Sequence, residues 1–233
     1  MKKKHYLRIR RGLNILISVL ILLPYQFIFV RSAHASQDQE IKSGDLVINE
    51  IMKDPKASKS DPKGEWFEIY NSTDHDIDLT GFVIKDSESD IFTVTQGVIQ
   101  SHGFFVFGRS GDQNENGGYV PDYVYSNFKL GNGSDMILID YSANEIDRVD
   151  YDNGDTFPDV SGKSMILSNP SLDNNVGSNW CVSTTPYGKG DLGTPGKAND
   201  PCEEKKLSEI KGCKFLDEDG DGRLIGGEEG LEN

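Results

Sequence analysis

The chain has 233 residues, of which 36% are hydrophobic and 27% are charged, and its formal net charge is −14. This length accommodates one full domain and a further fragment. The excess of acidic residues argues against a nucleic-acid binder, because contacts to phosphate need clustered Lys and Arg side chains.

The N-terminus has the three parts of an export signal. Six Lys and Arg residues within residues 2–11 precede an apolar run from Leu13 to Val30, and Ala33-His34-Ala35 forms a small-x-small cleavage site before Ser36. We therefore predict a signal peptide over residues 1–35. An uncleaved membrane anchor is the alternative, because the apolar run reaches the lower length limit for a membrane span. Both interpretations place the rest of the chain in an extracellular or cell-surface location.

A polar lead-in, residues 36–43, precedes short segments in which apolar and polar side chains alternate. The segment Glu65–Tyr70 is rich in aromatic and β-branched residues and is typical of a strand, with Phe67 and Ile69 on one face. Such segments recur about every 8 to 12 residues with turn residues between them, which predicts an antiparallel β-sandwich or barrel over residues 44–153. The predicted core comprises ten residues: Leu46, Ile48, Phe67, Ile69, Ile77, Leu79, Ile84, Phe105, Ile137 and Ile139.

The periodicity is lost between residues 154 and 199, where Asn, Asp, Gly, Ser and Pro predominate. We expect an irregular tail that Met165, Leu167 and Trp180 attach to the sandwich. Residues 200–206 then have the composition of a linker.

The three cysteines lie in the part of the chain that we expect to be exported, where disulfides persist. Cys181 and Cys202 bracket a loop rich in Pro and Gly, which has little else to hold it. We predict that these two cysteines form a disulfide and that Cys213 is the odd one. The alternative is three reduced thiols, in a host whose envelope does not oxidise cysteines.

Several segments together resemble the signature of the lamin tail domain, over residues 44–199. They are DLVINEI at 45–51, GEWFEIYN at 64–71, DIDLTGFVIKD at 76–86, FKLGNGSDMILID at 128–140, DRVDY at 147–151 and SNWCVSTTPYGKGDLGTPGKAN at 178–199. The resemblance implies an immunoglobulin-like antiparallel β-sandwich that is not itself an enzyme. It also implies a bacterial domain of the secreted type, a type that often occurs in surface proteins and sometimes beside nucleases or other hydrolases.

The end of the chain matches the twelve-residue calcium-loop pattern D-x-D-x-D-G-x5-E from Asp217 to Glu228. A calcium ion needs six to eight oxygen ligands, and Gly222 permits the sharp turn that lets them converge. Side chains would come from Asp217, Asp219, Asp221 and the bidentate Glu228, and a backbone carbonyl from Arg223. Without a metal, the alternative is an acidic, disordered end.

Residues 207–233 also resemble the opening of the B-type, prealbumin-like repeat of bacterial surface adhesins. The shared pattern is a strand with a glycine and an aromatic residue, then an acidic loop, then E-x-G-L. Cys213 stands where that repeat usually has Tyr. A complete repeat needs further strands, so we expect a truncated one here.

Catalytic motifs are absent from the sequence after residue 35. It contains no HExxH, no GxSxG and no glycine-rich phosphate loop, and its two histidines, His75 and His102, lie in polar turns. A hydrolase with paired carboxylates stays open, because such pairs meet only in space. We nevertheless predict no enzyme, no catalytic residue and no cofactor-binding residue other than the ligands for Ca²⁺.

The expected function is that of a monomeric, non-catalytic binding or adhesion module whose partner is an unknown protein or glycan at the cell surface. The alternative is an accessory domain of an extracellular nuclease or other hydrolase with its catalytic part beyond residue 233. Residues 1–35 contain seven of the 24 Lys and Arg residues and none of the 38 Asp and Glu residues, so cleavage leaves a formal charge of −21. We therefore expect no nucleic-acid partner, and contact with a membrane only through an uncleaved N-terminal segment.

Overall fold

The computed structural model describes residues 40–86 and 89–203. The predicted signal peptide, residues 1–35, and the predicted B-type segment, residues 207–233, lie outside the described residues. Within them the chain forms twelve strands, a four-residue helix α1 (Asp61–Gly64) and a 3₁₀ turn (Gly177–Asn179). The strands are β1 (Leu46–Met52), β2 (Trp66–Asn71), β3 (Ile77–Asp78), β4 (Val83–Lys85), β5 (Ile91–Thr93), β6 (Val98–Ile99), β7 (Phe104–Gly108), β8 (Tyr123–Val124), β9 (Asp135–Tyr141), β10 (Asn144–Tyr151), β11 (Met165–Leu167) and β12 (Trp180–Val182).

These strands form two main sheets and one short pair. The larger sheet has the order β12-β11-β1-β2-β7-β8, the second has the order β10-β9-β4-β5, and β3 pairs with β6. All pairings are antiparallel except that of β7 with β8. The all-β, immunoglobulin-like sandwich that the sequence predicts is confirmed.

The core lies between the sheets and contains the residues that alternation selects. All ten predicted core residues are at most 5% exposed. Aromatic rings fill its centre, where Phe67 stacks on Phe107 with ring centroids 4.9 Å apart. Such offset aromatic pairs stabilise a core beyond the area that they bury.

A β-bulge at Asn49 decides which side chains of β1 face the core. The register of β1 against β2 shifts between Ile48 and Glu50, so one extra residue interrupts the alternation. As a result Ile48 and Ile51, three positions apart, both lie in the core, while Glu50 faces the opposite side. The backbone groups that the bulge displaces have side-chain partners: Ile48 N donates to Asp147 Oδ2 at 2.6 Å, and Asn174 Nδ2 donates to Ile48 O at 3.0 Å.

Strands β9 and β10 form a hairpin with a two-residue turn. Ser142 and Ala143 have φ values of 50° and 65°, the left-handed pair that a two-residue hairpin turn of type I′ requires. The sequence predicts a hairpin turn at Ser142 to Glu145, and the structure places it at Ser142 and Ala143.

The segment expected to be an irregular tail contains two strands. Strand β11 pairs with β1, and β12 pairs with β11, so the larger sheet gains two strands from residues after 153. Met165, Leu167 and Trp180 are buried there and attach the segment to the sandwich as predicted. Three-residue strands carry too little alternation to be recognised in sequence, and their partner strand decides their structure.

Candidate functional site

Two glutamates lie opposite each other on the side of the larger sheet that faces away from the core, which we call the outer face. Glu50 of β1 pairs in register with Glu68 of β2, and neither side chain is exposed to solvent. Carboxylates are almost never fully buried unless they have partners. Here the partners come mainly from residues 183–200, which we call the strap because they pass over the outer face.

Glu50 accepts hydrogen bonds at both of its carboxyl oxygens. Its Oε1 accepts from Ser164 Oγ at 2.5 Å and from Thr194 N at 2.7 Å, and its Oε2 accepts from Thr194 Oγ1 at 2.7 Å. Burial raises the pKa of this carboxyl from 4.5 to about 7, although these hydrogen bonds act in the opposite direction. Thr194 therefore fastens the strap to β1 through both its backbone and its side chain.

Glu68 accepts a hydrogen bond from Gly196 N of the strap at 2.5 Å and one from Asn49 Nδ2 at 3.2 Å. Burial raises its pKa to about 9, and the neighbouring charge of Glu50 adds to that effect. A carboxyl with this pKa holds its proton at neutral pH. The paired glutamates thus avoid carrying two adjacent buried charges.

An apolar cluster seals the same face beside the glutamates. Met52, Trp66, Val106 and Tyr119 are buried there, and Tyr187 of the strap packs against them. The indole Nε1 of Trp66 donates to Tyr187 Oη at 3.0 Å. Gly193 lies so close to Trp66 that a Cβ would be 3.0 Å from its ring and 3.1 Å from Glu50 Oε1. A larger residue at position 193 would hold the strap away from the sheet.

Further along the strap, polar side chains fasten it to other loops. Asp191 accepts hydrogen bonds from the backbone N–H groups of Lys56 and Ala57 at 2.9–3.1 Å. Asn199 Nδ2 donates to Asn49 O and to Leu167 O, both at 2.9 Å. The strap is therefore held by directional hydrogen bonds along most of its length.

A comparison with protein families assigns the first part of this fold. Residues 39–153 match the sequence model of the Lamin Tail Domain family. The chain contains a lamin tail domain. No curated protein matches the chain. The strap lies after the matched segment, yet it closes the outer face of the lamin tail domain.

The glutamate pair is visible in the sequence, but the alternation of apolar and polar residues does not show that the two side chains are buried. Glu50 and Glu68 each interrupt an apolar strand, in the segments VINEIM and WFEIYN. On a strand with one wet face, such residues are ordinary surface positions. What distinguishes them is the strap, which lies more than 100 residues away in the chain and has no periodicity of its own.

The predicted disulfide is present at the end of the strap. Cys181 and Cys202 are joined, with Cα atoms 5.8 Å apart. Asp200, two residues before Cys202, accepts hydrogen bonds from Ser183 Oγ at 2.7 Å and Thr185 Oγ1 at 2.7 Å. Burial acts to raise the pKa of Asp200, but these hydrogen bonds prevail and lower it to about 2. The disulfide and Asp200 together fix both ends of the strap.

The predicted calcium ligands Asp217, Asp219, Asp221, Arg223 and Glu228 lie outside the described residues. Within residues 40–86 and 89–203, no group of three or more His, Cys, Asp and Glu side chains is arranged to hold a metal ion.

No helix in the described part of the chain has the length and apolar character that crossing a membrane requires.

The hydrogen bonds of Glu50 and Glu68 to Thr194 and Gly196 hold the strap on the sheet, and we call them the latch. Each carboxylate accepts hydrogen bonds from the chain itself, and Glu50 and Glu68 are closed off from solvent. A general acid or base needs to reach the proton of a bound substrate, whereas these two groups reach only the strap and its neighbours. Their role in this lamin tail domain is to fasten the strap.

Proposed function

We propose that the chain is an exported lamin tail domain protein that acts as a non-catalytic binding module outside the cell or at its surface. The observation that carries this proposal is the use of Glu50 and Glu68 as acceptors for the strap. Because these buried polar groups bind the strap of the same domain, they are not accessible to a partner. The loops and the exposed ends of strands are then the surfaces that can bind one. In β-sandwiches such loops are the usual binding elements.

The N-terminal sequence and the disulfide support export. Residues 1–35 have the charged, apolar and cleavage regions of a signal peptide. The Cys181–Cys202 disulfide is of the kind that persists in oxidising compartments and is rare in the cytosol.

The charge supports a partner other than nucleic acid. With a formal charge of −21 after cleavage, the protein would repel phosphate at long range. Lys59, before the helix, and Lys63, within it, both pair with Glu115, so part of the positive charge of this basic segment is offset within the fold. The partner that we propose is a protein or a glycan at the cell surface.

Export is tested with the full chain expressed in cells of its source. The expected result is a mature protein that begins at Ser36, is recovered outside the cytosol and has one thiol that reacts with maleimide before reduction and three after it. A chain that lacks residues 1–35 is the control, and it should stay in the cytosol. Full-length protein in the cytosol with three free thiols would contradict export.

Binding is tested with the exported protein labelled with a fluorophore and added to intact cells. Saturable binding that unlabelled protein displaces is expected, and heat-denatured protein is the control. Purified protein should release no product from DNA or from polysaccharides. Turnover of either would show that the chain is an enzyme, and a lack of saturable binding would contradict the proposed binding role.

A further inference from the structure

The strap leaves one end of the outer face uncovered. On β2, Trp66 and Glu68 are buried, whereas Tyr70, the next residue on that face, is half-exposed. Tyr70 pairs in register with Phe104 of β7, which is also half-exposed. Their ring centroids are 5.2 Å apart and their planes are inclined by 41°. The two rings form a small aromatic surface beyond the end of the strap.

A hydrogen-bonded chain of polar side chains borders these rings. Tyr70 Oη lies 3.2 Å from His102 Nδ1, and His102 Nε2 lies 2.8 Å from Asp74 Oδ1. The side chain of His102 is 52% exposed and that of Asp74 is 99% exposed. Asp74 therefore orients the imidazole ring of His102 and still presents carboxylate oxygen to solvent. We call Tyr70, Phe104, His102 and Asp74 the aromatic platform.

The two loops that carry the platform are fixed to each other. Asn71 Nδ2 lies within hydrogen-bond distance of three carbonyl oxygens, those of His75 at 2.8 Å, Gln100 at 3.0 Å and Ile99 at 3.4 Å. Ser101 N donates to Asp76 Oδ1 at 2.9 Å. A site held in its binding geometry before the ligand arrives loses less entropy on binding.

A tight turn fixes the backbone at His102. Its φ value is 53°, in the left-handed region that residues other than glycine rarely adopt. Gly103 N donates to Gln100 O at 2.9 Å, and the tight turn that this bond closes holds His102 in that conformation. This conformation directs the imidazole between Tyr70 and Asp74.

We propose that the aromatic platform binds a neutral glycan, which deepens the proposed function and rests on it. A pyranose ring has an apolar face of C–H groups, which complements the electron-rich faces of Tyr70 and Phe104. Its hydroxyl groups can donate to the exposed carboxylate of Asp74, a charge-assisted hydrogen bond. The exported chain, with a formal charge of −21 after cleavage, repels acidic polysaccharides, so we expect the ligand to be neutral.

The test is co-sedimentation of the exported protein with insoluble chitin, cellulose and mannan, with polygalacturonate gel as the acidic polysaccharide. Wild-type protein should bind at least one neutral polysaccharide, and soluble oligosaccharides of the same sugar should release it. The variants Asp74→Ala and Phe104→Ala should each weaken binding about tenfold or more. Phe104→Tyr keeps the ring and should retain binding.

Matched controls separate the platform from the rest of the surface. Asp155→Ala removes an exposed acid elsewhere, and Tyr123→Ala removes a half-exposed tyrosine on β8; neither should change binding to the polysaccharide. A thermal melt of each variant shows that it is folded before it is compared.

Four outcomes would overturn the glycan proposal. Binding that Asp74→Ala and Phe104→Ala leave unchanged would place the site elsewhere, and preference for polygalacturonate would refute a neutral ligand. Saturable binding to cells without binding to any polysaccharide would refute the glycan and leave the binding module with a protein partner. If the wild-type protein bound neither intact cells nor any polysaccharide, the proposed function would be refuted as well.

Discussion

Glu50 and Glu68 face each other across neighbouring strands, and the strap closes both carboxyls off from solvent. Their hydrogen bonds to Thr194 and Gly196 join the first strands of the lamin tail domain to a segment more than 120 residues further along the chain. Two like charges this close and this deeply buried cannot both ionise without a large cost in free energy. The pair therefore couples the closure of the strap to protonation.

The first prediction is that the protein becomes less stable as the pH rises from about 4.5 to about 9. The pKa values of Glu50 and Glu68 are raised in the folded state, from 4.5 to about 7 and about 9. The folded state thus binds these protons more tightly than the unfolded state. Their contribution to the free energy of unfolding is therefore fully present below pH 4.5 and is lost as the pH rises through the pKa values of the folded state. Glu65 and Asp147, with pKa values raised to about 7 and about 6, act in the same direction.

Glu68→Gln separates the contribution of Glu68 from the others. It keeps the shape of the side chain and removes its titration, so the decline in stability between pH 7 and pH 9 should flatten. For one proton that decline is at most about 1.4 kcal/mol per pH unit. Urea denaturation at several pH values measures it, and Glu40→Gln, at an exposed position, is the control. A variant that declines as steeply as the wild type would refute the assignment to Glu68.

The second prediction concerns the latch between the strap and β1. Thr194→Val keeps the volume of the side chain and removes the Oγ1 donor to Glu50. Leaving a buried acceptor short of a partner costs about 1–3 kcal/mol, so the free energy of unfolding should fall by that amount. Hydrogen exchange should become faster at the amides of the strap. Thr93→Val, at an exposed position on β5 and outside the strap, is the control, and an equal effect there would show that the loss is not specific to the hydrogen bond between Thr194 and Glu50.

The third prediction is that the Cys181–Cys202 disulfide stabilises the fold. The bridge spans 21 positions of sequence, and closing a loop of that size is worth about 3 kcal/mol in the chain-entropy model. The double variant Cys181→Ser, Cys202→Ser should lose about that much stability in a denaturant titration. Cys213→Ser should lose none. Equal midpoints for oxidised and reduced wild-type protein would contradict this prediction.

The fourth prediction is one weak calcium site from Asp217 to Glu228. The four acids of the loop pattern repel one another unless a cation is present, and extracellular modules bind calcium with Kd values of about 10⁻⁴ to 10⁻³ M. Calorimetry on the exported protein should detect binding that Asp217→Ala or Glu228→Ala abolishes. Asp112→Ala, in another acidic loop, should leave it unchanged. If no heat is observed up to about 10 mM calcium, ten times the weak end of that range, the prediction is wrong.

The pattern of apolar residues was sufficient to predict the longer strands before residue 153 and ten residues of the core, but it did not predict β11 and β12. Ile77 and Leu79 are examples, since they alternate with Asp76, Asp78 and Thr80 in the sequence. The disulfide was also predictable, because a loop rich in Pro and Gly between two cysteines has few other sources of order. Alternation failed at Asn49, where a bulge shifts the period, and a bulge depends on the pairing of two strands and not on either strand alone.

Only the tertiary structure showed that the outer face is closed at Glu50 and Glu68 and open at Tyr70. The strap that covers the glutamates is held by hydrogen bonds to backbone and hydroxyl groups, which impose no hydrophobic period on its sequence. The aromatic platform likewise joins Asp74 and His102, which belong to different loops and meet only because β2 and β7 are neighbours. A sequence pattern shows which side chains avoid water. Which residues distant in the chain contact each other depends on how the strands pair and on where the loops between them run.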